Sequence, residues 1–361
     1  MKLKKFVIIG AISALMTMGL TACGSKADSN SAAENTAESG NSTEEASNTD
    51  VSTGELKTIR IGCGDATNTY LNDLANVAQL EGYLEEELNK VGFTLETYGF
   101  QGQGPEINAA LMSGSLEAGN YAEFPAFTSK ASGANTTVVA VTDAKYAYGV
   151  LAVSDDIQTV KDLAGKKVVV QQGTSIQYVW EQIVADAGVD DSDIEIINSN
   201  VVDGASLLQT GDADAIISAT SSLENYVNNG LGHLVEGVPD SVSSTTLVVF
   251  DNDFLAEYPE AAVAVNKALI RAYEAVTENP QLLYDDIGAR YGEKGAEIVE
   301  DSYVINGSID YLNPDFDDEF ISSLTNAYNW LLDNSLITEE IDLDSFIDDS
   351  YYQQAVQELA E

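Results

Sequence analysis

From about residue 57 onward, short apolar runs alternate with helical patterns, and this alternation restricts the fold more than any other feature of the chain. Ile59–Gly62 is a short apolar strand, and Phe93–Tyr98 alternates as one. Between them, Leu71–Lys90 has helical spacing, with Leu71, Leu74, Ala75 and Ala78 on one face. Pro105 suits the first turn of a helix that turns Ile107, Ala110 and Leu111 inward and stops at Gly114. Val138–Val141 and Gly149–Val153 read as two further strands. Lys167–Val170 is continuous in its apolarity, as parallel strands covered on both faces are. Ile176, Val179, Trp180, Ile183 and Val184 then fall on one helical stripe. Ile194–Ile197 and Ala215–Ser218 are strands, and beyond about Phe254 the chain is mainly helical. Alternating β and α elements predict an α/β fold of open, mostly parallel sheets flanked by helices.

The first 56 residues do not share this pattern. Lys2, Lys4 and Lys5 precede an apolar stretch, Phe6–Leu20, that is short for a membrane span. It closes on Leu20-Thr21-Ala22-Cys23. These residues resemble a bacterial lipoprotein signal. The resemblance implies cleavage before Cys23, lipid on its thiol, and a protein held on the outer, extracytoplasmic face of the cell membrane. An ordinary secretory signal or an N-terminal anchor helix is the other reading of the same residues. Residues 23–56 are Ser, Ala, Asn, Thr, Glu and Gly with almost no large apolar side chains. Such a segment buries too little surface to offset its ordering entropy and reads as a flexible acidic linker.

Charge and cysteine usage narrow the functional classes. The chain has 59 Asp+Glu against 16 Lys+Arg, a net charge of -43. Nucleic acid is not an expected partner, because phosphate binding needs clustered cations. The charge fits a solvated exterior and does not by itself point to a cationic ligand. With Cys23 assigned to lipid, Cys63 alone remains, so no internal disulfide can form. Its place at a strand end suits a small buried residue better than a reactive thiol.

One stretch is used twice. Ala110–Gly119 resembles Ser206–Ala215: a helix end, a glycine stop, an acidic residue and a strand. Each strand leads to polar residues, Asn120-Tyr121-Ala122-Glu123 in one case and Ser218-Ala219-Thr220-Ser221 in the other, expected as loops. Two such units suggest two α/β lobes facing one cleft. A common α/β connection used twice by chance is the plainer alternative.

At this point the chain resembles a family, the substrate-binding proteins of ABC importers, in the branch of aliphatic sulfonate, taurine, nitrate and thiamine-pyrimidine precursor binders. The likeness runs through Gly82-Tyr83-Leu84-Glu85, Ala110–Gly119, Val160–Val168, Gln172–Ser175, Ala187-Gly188-Val189, Gly211–Ala215 and Tyr258-Pro259-Glu260, in that order. It implies the two-lobe periplasmic-binding-protein type II fold, with ligand in the interlobe cleft. Crossovers are expected near Asp143–Tyr148 and Thr245–Asp251, giving lobe 1 as 57–146 plus 248–361 and lobe 2 as 147–247, after a signal over 1–22 and a linker over 23–56. It also implies a monomer that closes on a small molecule and hands it to an ABC permease and its ATPase.

The candidate site follows from strand ends. Gly173 permits a tight turn between a strand and a helix, and Thr174 and Gln177 have the spacing of a capping box. The N–H groups and dipole of Thr174-Ser175 suit an anionic ligand group, although either residue serves equally as a simple cap. Asp65 and Thr67, Asn120, Tyr121 and Glu123, and Thr220 and Ser221 would face this helix start from other strand ends. Asn120, Tyr121 and Thr220 offer neutral hydrogen bonds and an aromatic wall. Asp65 and Glu123 could meet a cationic group, and a solvated face is the equal alternative for Glu123. Ala219-Thr220-Ser221-Ser222 stands where sulfonate binders often have an aromatic-Asp-Pro-aromatic run, and no arginine falls in the candidate loops. A taurine-like zwitterion would reconcile a helix start with a carboxylate.

Catalysis is not expected. His233 is the single histidine and lies after a turn-like Asn228–Gly232 run. No serine has a histidine beside it in the candidate loops, no Cys/His cluster has metal spacing, and Gly62-Cys63-Gly64 lacks the rest of a phosphate loop. The histidine and cysteine-rich run of precursor-making relatives in the pyrimidine branch is absent. No cofactor is expected. The alternative to import is a lipid-anchored sensor that presents a bound ligand to a receptor on the same fold.

Overall fold

The computed structural model describes residues 56–361 apart from 65–68, 102, 240–242 and 305–306. The expected signal, Cys23 and the linker lie outside the described residues, as do Asp65 and Thr67. Nine strands are placed: β1 Lys57–Cys63, β2 Phe93–Gly99, β3 Ala118–Ala122, β4 Thr136–Ala152, β5 Lys167–Val169, β6 Glu195–Ile197, β7 Ala215–Ala219, β8 His233–Leu234 and β9 Ser243–Asp251. The helices are α1 Asp73–Leu80, α2 Tyr83–Lys90, α3 Gly104–Met112, α4 Glu123–Ala131, α5 Ser175–Ala187, α6 Val201–Thr210, α7 Thr220–Asn228, α8 Asn252–Glu257, α9 Pro259–Glu278, α10 Gln281–Asp286, α11 Gly295–Tyr303, α12 Asp318–Asp333, α13 Leu343–Phe346 and α14 Ser350–Leu359.

The strands form two open sheets. In the first, the order is β2-β1-β3-β9-β4; β1 is parallel to β2 and β3, while β9 runs antiparallel between β3 and β4. In the second, the last residues of β4 pair with β7, which lies beside β5 and then β6. β4 therefore serves both sheets. Ala147 still pairs with Ser243 of β9, and Tyr148 already pairs with Ala219 of β7. Register shifts between Val138 and Tyr146 bend the strand as it changes partners. Two short strands were expected here. The polar run Thr142–Lys145 reads as a break, but it is strand backbone paired with the start of β9.

Side-chain alternation explains why each sheet is covered on both faces. In β9, Val248 and Phe250 enter a cluster with Ile59, Ile61 and the buried side of α9, whereas Leu247 and Val249 enter one with Ile107, Phe124 and Leu324. In the second sheet, Val150, Val168 and Ile217 pack with Trp180 and Ile183, and Leu151, Val169 and Ile216 pack on the other face with Leu208 and Leu223. Cys63 is buried at the end of β1, as its position suggests. The helix expected over Leu71–Lys90 is two helices. Gly82, at φ +77°, takes a left-handed conformation that a longer side chain rarely adopts, and the chain turns there between α1 and α2.

Candidate functional site

The cleft ends of the first sheet lie on one line. Ala122, which ends β3, pairs with Thr246, and Thr246 pairs with Asp143 of β4. In open α/β sheets this carboxyl end of the strands is where ligands sit. The second sheet presents the matching edge: β7 ends at Ala219 beside Tyr148, and β5 leads through Gln171–Thr174 into α5. The loops expected after β3 and β7 are absent. Each strand passes directly into a helix, so Glu123 is the first residue of α4, and Thr220 and Ser221 are the first two of α7.

Three carboxyls gather at the first edge. Glu123 is 1% exposed, and its Oε2 accepts the Thr245 N–H at 3.0 Å. Burial excludes a solvated face for it and pushes its pKa up to about 8. Asp143 is wholly buried; its Oδ1 accepts the Lys145 N–H at 2.8 Å, and its Oδ2 has no hydrogen-bond partner among the described residues. Asp73 opens α1 at φ +53°, unusual for a residue with a side chain. Its carboxylate accepts the Tyr303 hydroxyl at 2.9 Å and the Thr246 hydroxyl. Burial raises the Asp73 pKa against these bonds and the charge of Arg290, and burial together with Asp73 raises that of Asp143.

The second edge is neutral. Thr174 caps α5: its Oγ1 accepts the Ile176 N–H at 3.2 Å and donates to the Gln171 carbonyl at 2.7 Å. Gln177 completes the turn differently from a capping box, accepting the N–H of Gly173 at 2.8 Å. Gly173 sits at φ +74°, the tight turn its position calls for. Ser175 Oγ lies 3.2 Å from the Tyr148 hydroxyl, which lies 3.1 Å from Ser244 Oγ. Burial, and next the charge of Glu123, push the Tyr148 phenol up to about 12. Tyr148 thus stands between the hydroxyls of the second edge and the carboxyls of the first. Thr220 and Ser221 are buried at the start of α7.

Asn120 and Tyr121 are turned to structural neighbours. The Asn120 side chain accepts the Asn72 N–H at 2.6 Å and donates to Thr142 Oγ1 and the Leu247 carbonyl, each at 3.1 Å. Tyr121 is buried in the cluster of Ile107, Leu111 and Phe124. His233 lies in β8, its Nε2 2.8 Å from the Ile157 carbonyl.

Helices of the two sheets also touch. Phe124 of α4, Tyr178 of α5 and Trp330 of α12 form a triangle with every centroid pair 5.5 Å apart. Trp330 Nε1 donates to Glu181 of α5 at 2.7 Å. On α7, Glu224 is hydrogen-bonded to Asp301 of α11, and burial with that neighbouring acid pushes it up to about 7. Sequence reasoning passed over Asp73, Trp330 and Glu181, and read Asp143 and Tyr148 only as the edges of a crossover. The available signal was an aspartate two residues after the apolar run Val138–Val141.

Comparison with known proteins places this geometry in context. A family model described as NMT1/THI5 like matches residues 76–282, more than half of the chain. A Bacillus subtilis (strain 168) protein, provisionally named an aliphatic sulfonates-binding protein, is 25% identical over 312 residues, covering 84% of this chain and 90% of that protein. A solved structure from Methylobacillus flagellatus KT, provisionally described as the periplasmic sulfonate-binding protein SsuA of an ABC transporter, superposes with a TM-score of 0.70 at 22% identity over 85% of this chain and 96% of that one. The desulfurization enzyme DSZB superposes with a TM-score of 0.62 at 15% identity, covering 84% and 99%. The two structures share the fold, which is thus used both for binding and for catalysis.

Proposed function

This chain belongs to the NMT1/THI5-like family, and we propose that it is an extracytoplasmic solute-binding protein that captures a small polar molecule between two lobes and delivers it to an ABC import permease and its ATPase. One observation carries the reading. Two sheets share β4, and their strand ends converge on Tyr148, with Ser175 and Ser244 beside it. A site built half from each sheet gains its contacts only when the halves approach, so solute and closure are linked. The relatives' names support a sulfonate-like solute, and a taurine-like zwitterion or a nitrogen-containing molecule is the other candidate.

The lobes are taken as 57–146 plus 248–361 and 147–247. The pairing of Thr246 and Leu247 with β3 supports a second boundary nearer Ser243. The ligand's electron-rich group belongs at the start of α5, near Gly173, Thr174 and Ser175, with Thr220 and Ser221 beside it. The role is binding without catalysis, by a monomer. Cys23 carries the lipid that holds the protein at the membrane. In a Cys23→Ser variant the protein should leave the membrane fraction or remain as an uncut precursor, and unchanged membrane association refutes the anchor.

Native mass spectrometry of the full chain purified without denaturation tests the binding role. A small molecule retained in stoichiometric amount is the expected result. A chain that never retains one, from any growth medium, counts against solute capture.

A further inference from the structure

A carboxyl oxygen left without a partner in the interior is costly, because desolvation is not repaid by hydrogen bonds. Asp143 Oδ2 is such an atom, at the carboxyl end of the first sheet. Among the described residues no cation acts on Asp143 itself, and the charge of Arg290 acts on Asp73. The Lys145 ammonium is paired with Glu319, and the charge that acts on Asp143 is that of Asp73, a second acid. Asp73 in turn has its oxygens on the Thr246 and Tyr303 hydroxyls. One helical turn after Asp73, on the same side of α1, Asn76 is fully buried, with both its amide oxygen and its amide nitrogen unpartnered among the described residues. Glu123 lies on the other side of Thr246, bonded to the neighbouring Thr245 N–H. The sequence therefore places acids on α1, β4 and α4 around one short stretch of β9, with hydrogen-bonding capacity unspent on two of those elements.

We infer that this edge is a subsite for a protonated organic nitrogen, an amine or amidine, with Asp143 Oδ2 as its acceptor, Asp73 as the second carboxylate and the Asn76 amide oxygen as a further acceptor. The inference rests on the solute-binding reading and narrows it: the ligand carries a cationic end toward the first sheet and a polar or anionic end toward α5. An ammonium has donors for several acceptors and a charge that two close carboxyls share. A metal ion suits the edge less well, since among the described residues no group of three or more His, Cys, Asp or Glu is placed to hold one. A plain sulfonate would meet only repulsion here once the acids ionise.

One-carbon probes of opposite charge separate the possibilities. The full-length chain and its Asp143→Asn variant are titrated with methylammonium chloride and with sodium methanesulfonate, against sodium chloride at equal ionic strength, by ligand-observed NMR and thermal shift. The expected result is methylammonium binding to the wild type, weakened at least about tenfold in Asp143→Asn. Binding of methanesulfonate but not of methylammonium overturns the cation subsite and leaves the solute-binding reading standing. Binding of neither probe overturns the subsite and counts against that reading as well. Equal methylammonium affinity in both proteins means attraction to the acidic surface and also overturns it, as does an equal effect of sodium. Should Asp143→Asn fail to fold, Asp73→Asn takes its place, and the wild-type measurement alone still refutes the subsite if methylammonium does not bind.

Discussion

At the cleft end of the first sheet, Asp73, Asp143 and Glu123 are almost wholly buried; at the matching end of the second, the polar groups are the hydroxyls of Thr174, Ser175, Thr220 and Ser221. The architecture is the same on both sides. A helix and a glycine turn lead into a strand that runs directly into the next helix, as β3 into α4 and β7 into α7. What differs is the residue at the helix start. A carboxylate there is normally favoured by the helix dipole. For Glu123 the pKa moves the other way, so desolvation outweighs both the dipole and the Thr245 N–H. Repeated α/β geometry therefore sets where a site lies, while the burial of a few side chains sets its charge.

The sharpest way to break the comparison is to neutralise the acidic edge. Glu123 titrates near 4.5 when unfolded and at about 8 when folded. Between these values the folded chain holds the proton that the unfolded chain has lost, so stability falls as pH rises through that window. Glu123→Gln should remove this loss. The variant should match wild type at pH 4 and exceed it at pH 9 by on the order of a few kcal/mol, read from denaturant melts at both values. A variant no more stable than wild type at pH 9 would show that Glu123 is solvated or paired.

Next in size is the reverse change, an acid placed on the neutral edge. Ser175→Asp sets a carboxylate beside Tyr148, where the ligand's electron-rich group is proposed to sit. Affinity for a natively retained solute should fall at least about tenfold, or ~1.4 kcal/mol. Asp is acceptable at a helix start, so the melting temperature should change little. Undiminished affinity in a well-folded variant would move the ligand away from α5.

A smaller effect is expected where the two sides touch. Trp330→Phe keeps a ring against Phe124 and Tyr178 but loses the bond to Glu181. Solute affinity should drop about two- to fivefold, roughly 0.5–1 kcal/mol. The mildest is the Glu224–Asp301 pair. Below about pH 7 protonated Glu224 holds α7 to α11 through its bond to Asp301, and once Glu224 ionises that bond is lost. Solute affinity should weaken slightly from pH 6 to pH 8, and Glu224→Gln should flatten that slope.

Much of the fold was legible because it is written in periodicity. Lys167–Val169 is a parallel strand between two others, and Ile176–Val184 is the inner stripe of α5. The continuity of β4 was not legible. Thr142, Asp143 and Lys145 look like a turn, and only the pairing of this segment with β9 makes it a strand. The site divides in the same way. Gly173 and Thr174 announce themselves by local turn chemistry, whereas Asp73 and Asp143 meet through α1, β4 and β9, a juxtaposition that no local spacing encodes. Asn120 looked like a ligand group because a strand end was expected there, yet it lies within β3 and its amide is taken up by Asn72, Thr142 and Leu247.

The central claim is that a small molecule draws the two edges together. The direct test is small-angle scattering on the full chain after its solute has been removed by dialysis from denaturant and refolding, before and after the released fraction is added back. The account predicts a smaller radius of gyration when the solute returns. An identical radius in both states, with the solute shown to be bound, would contradict it.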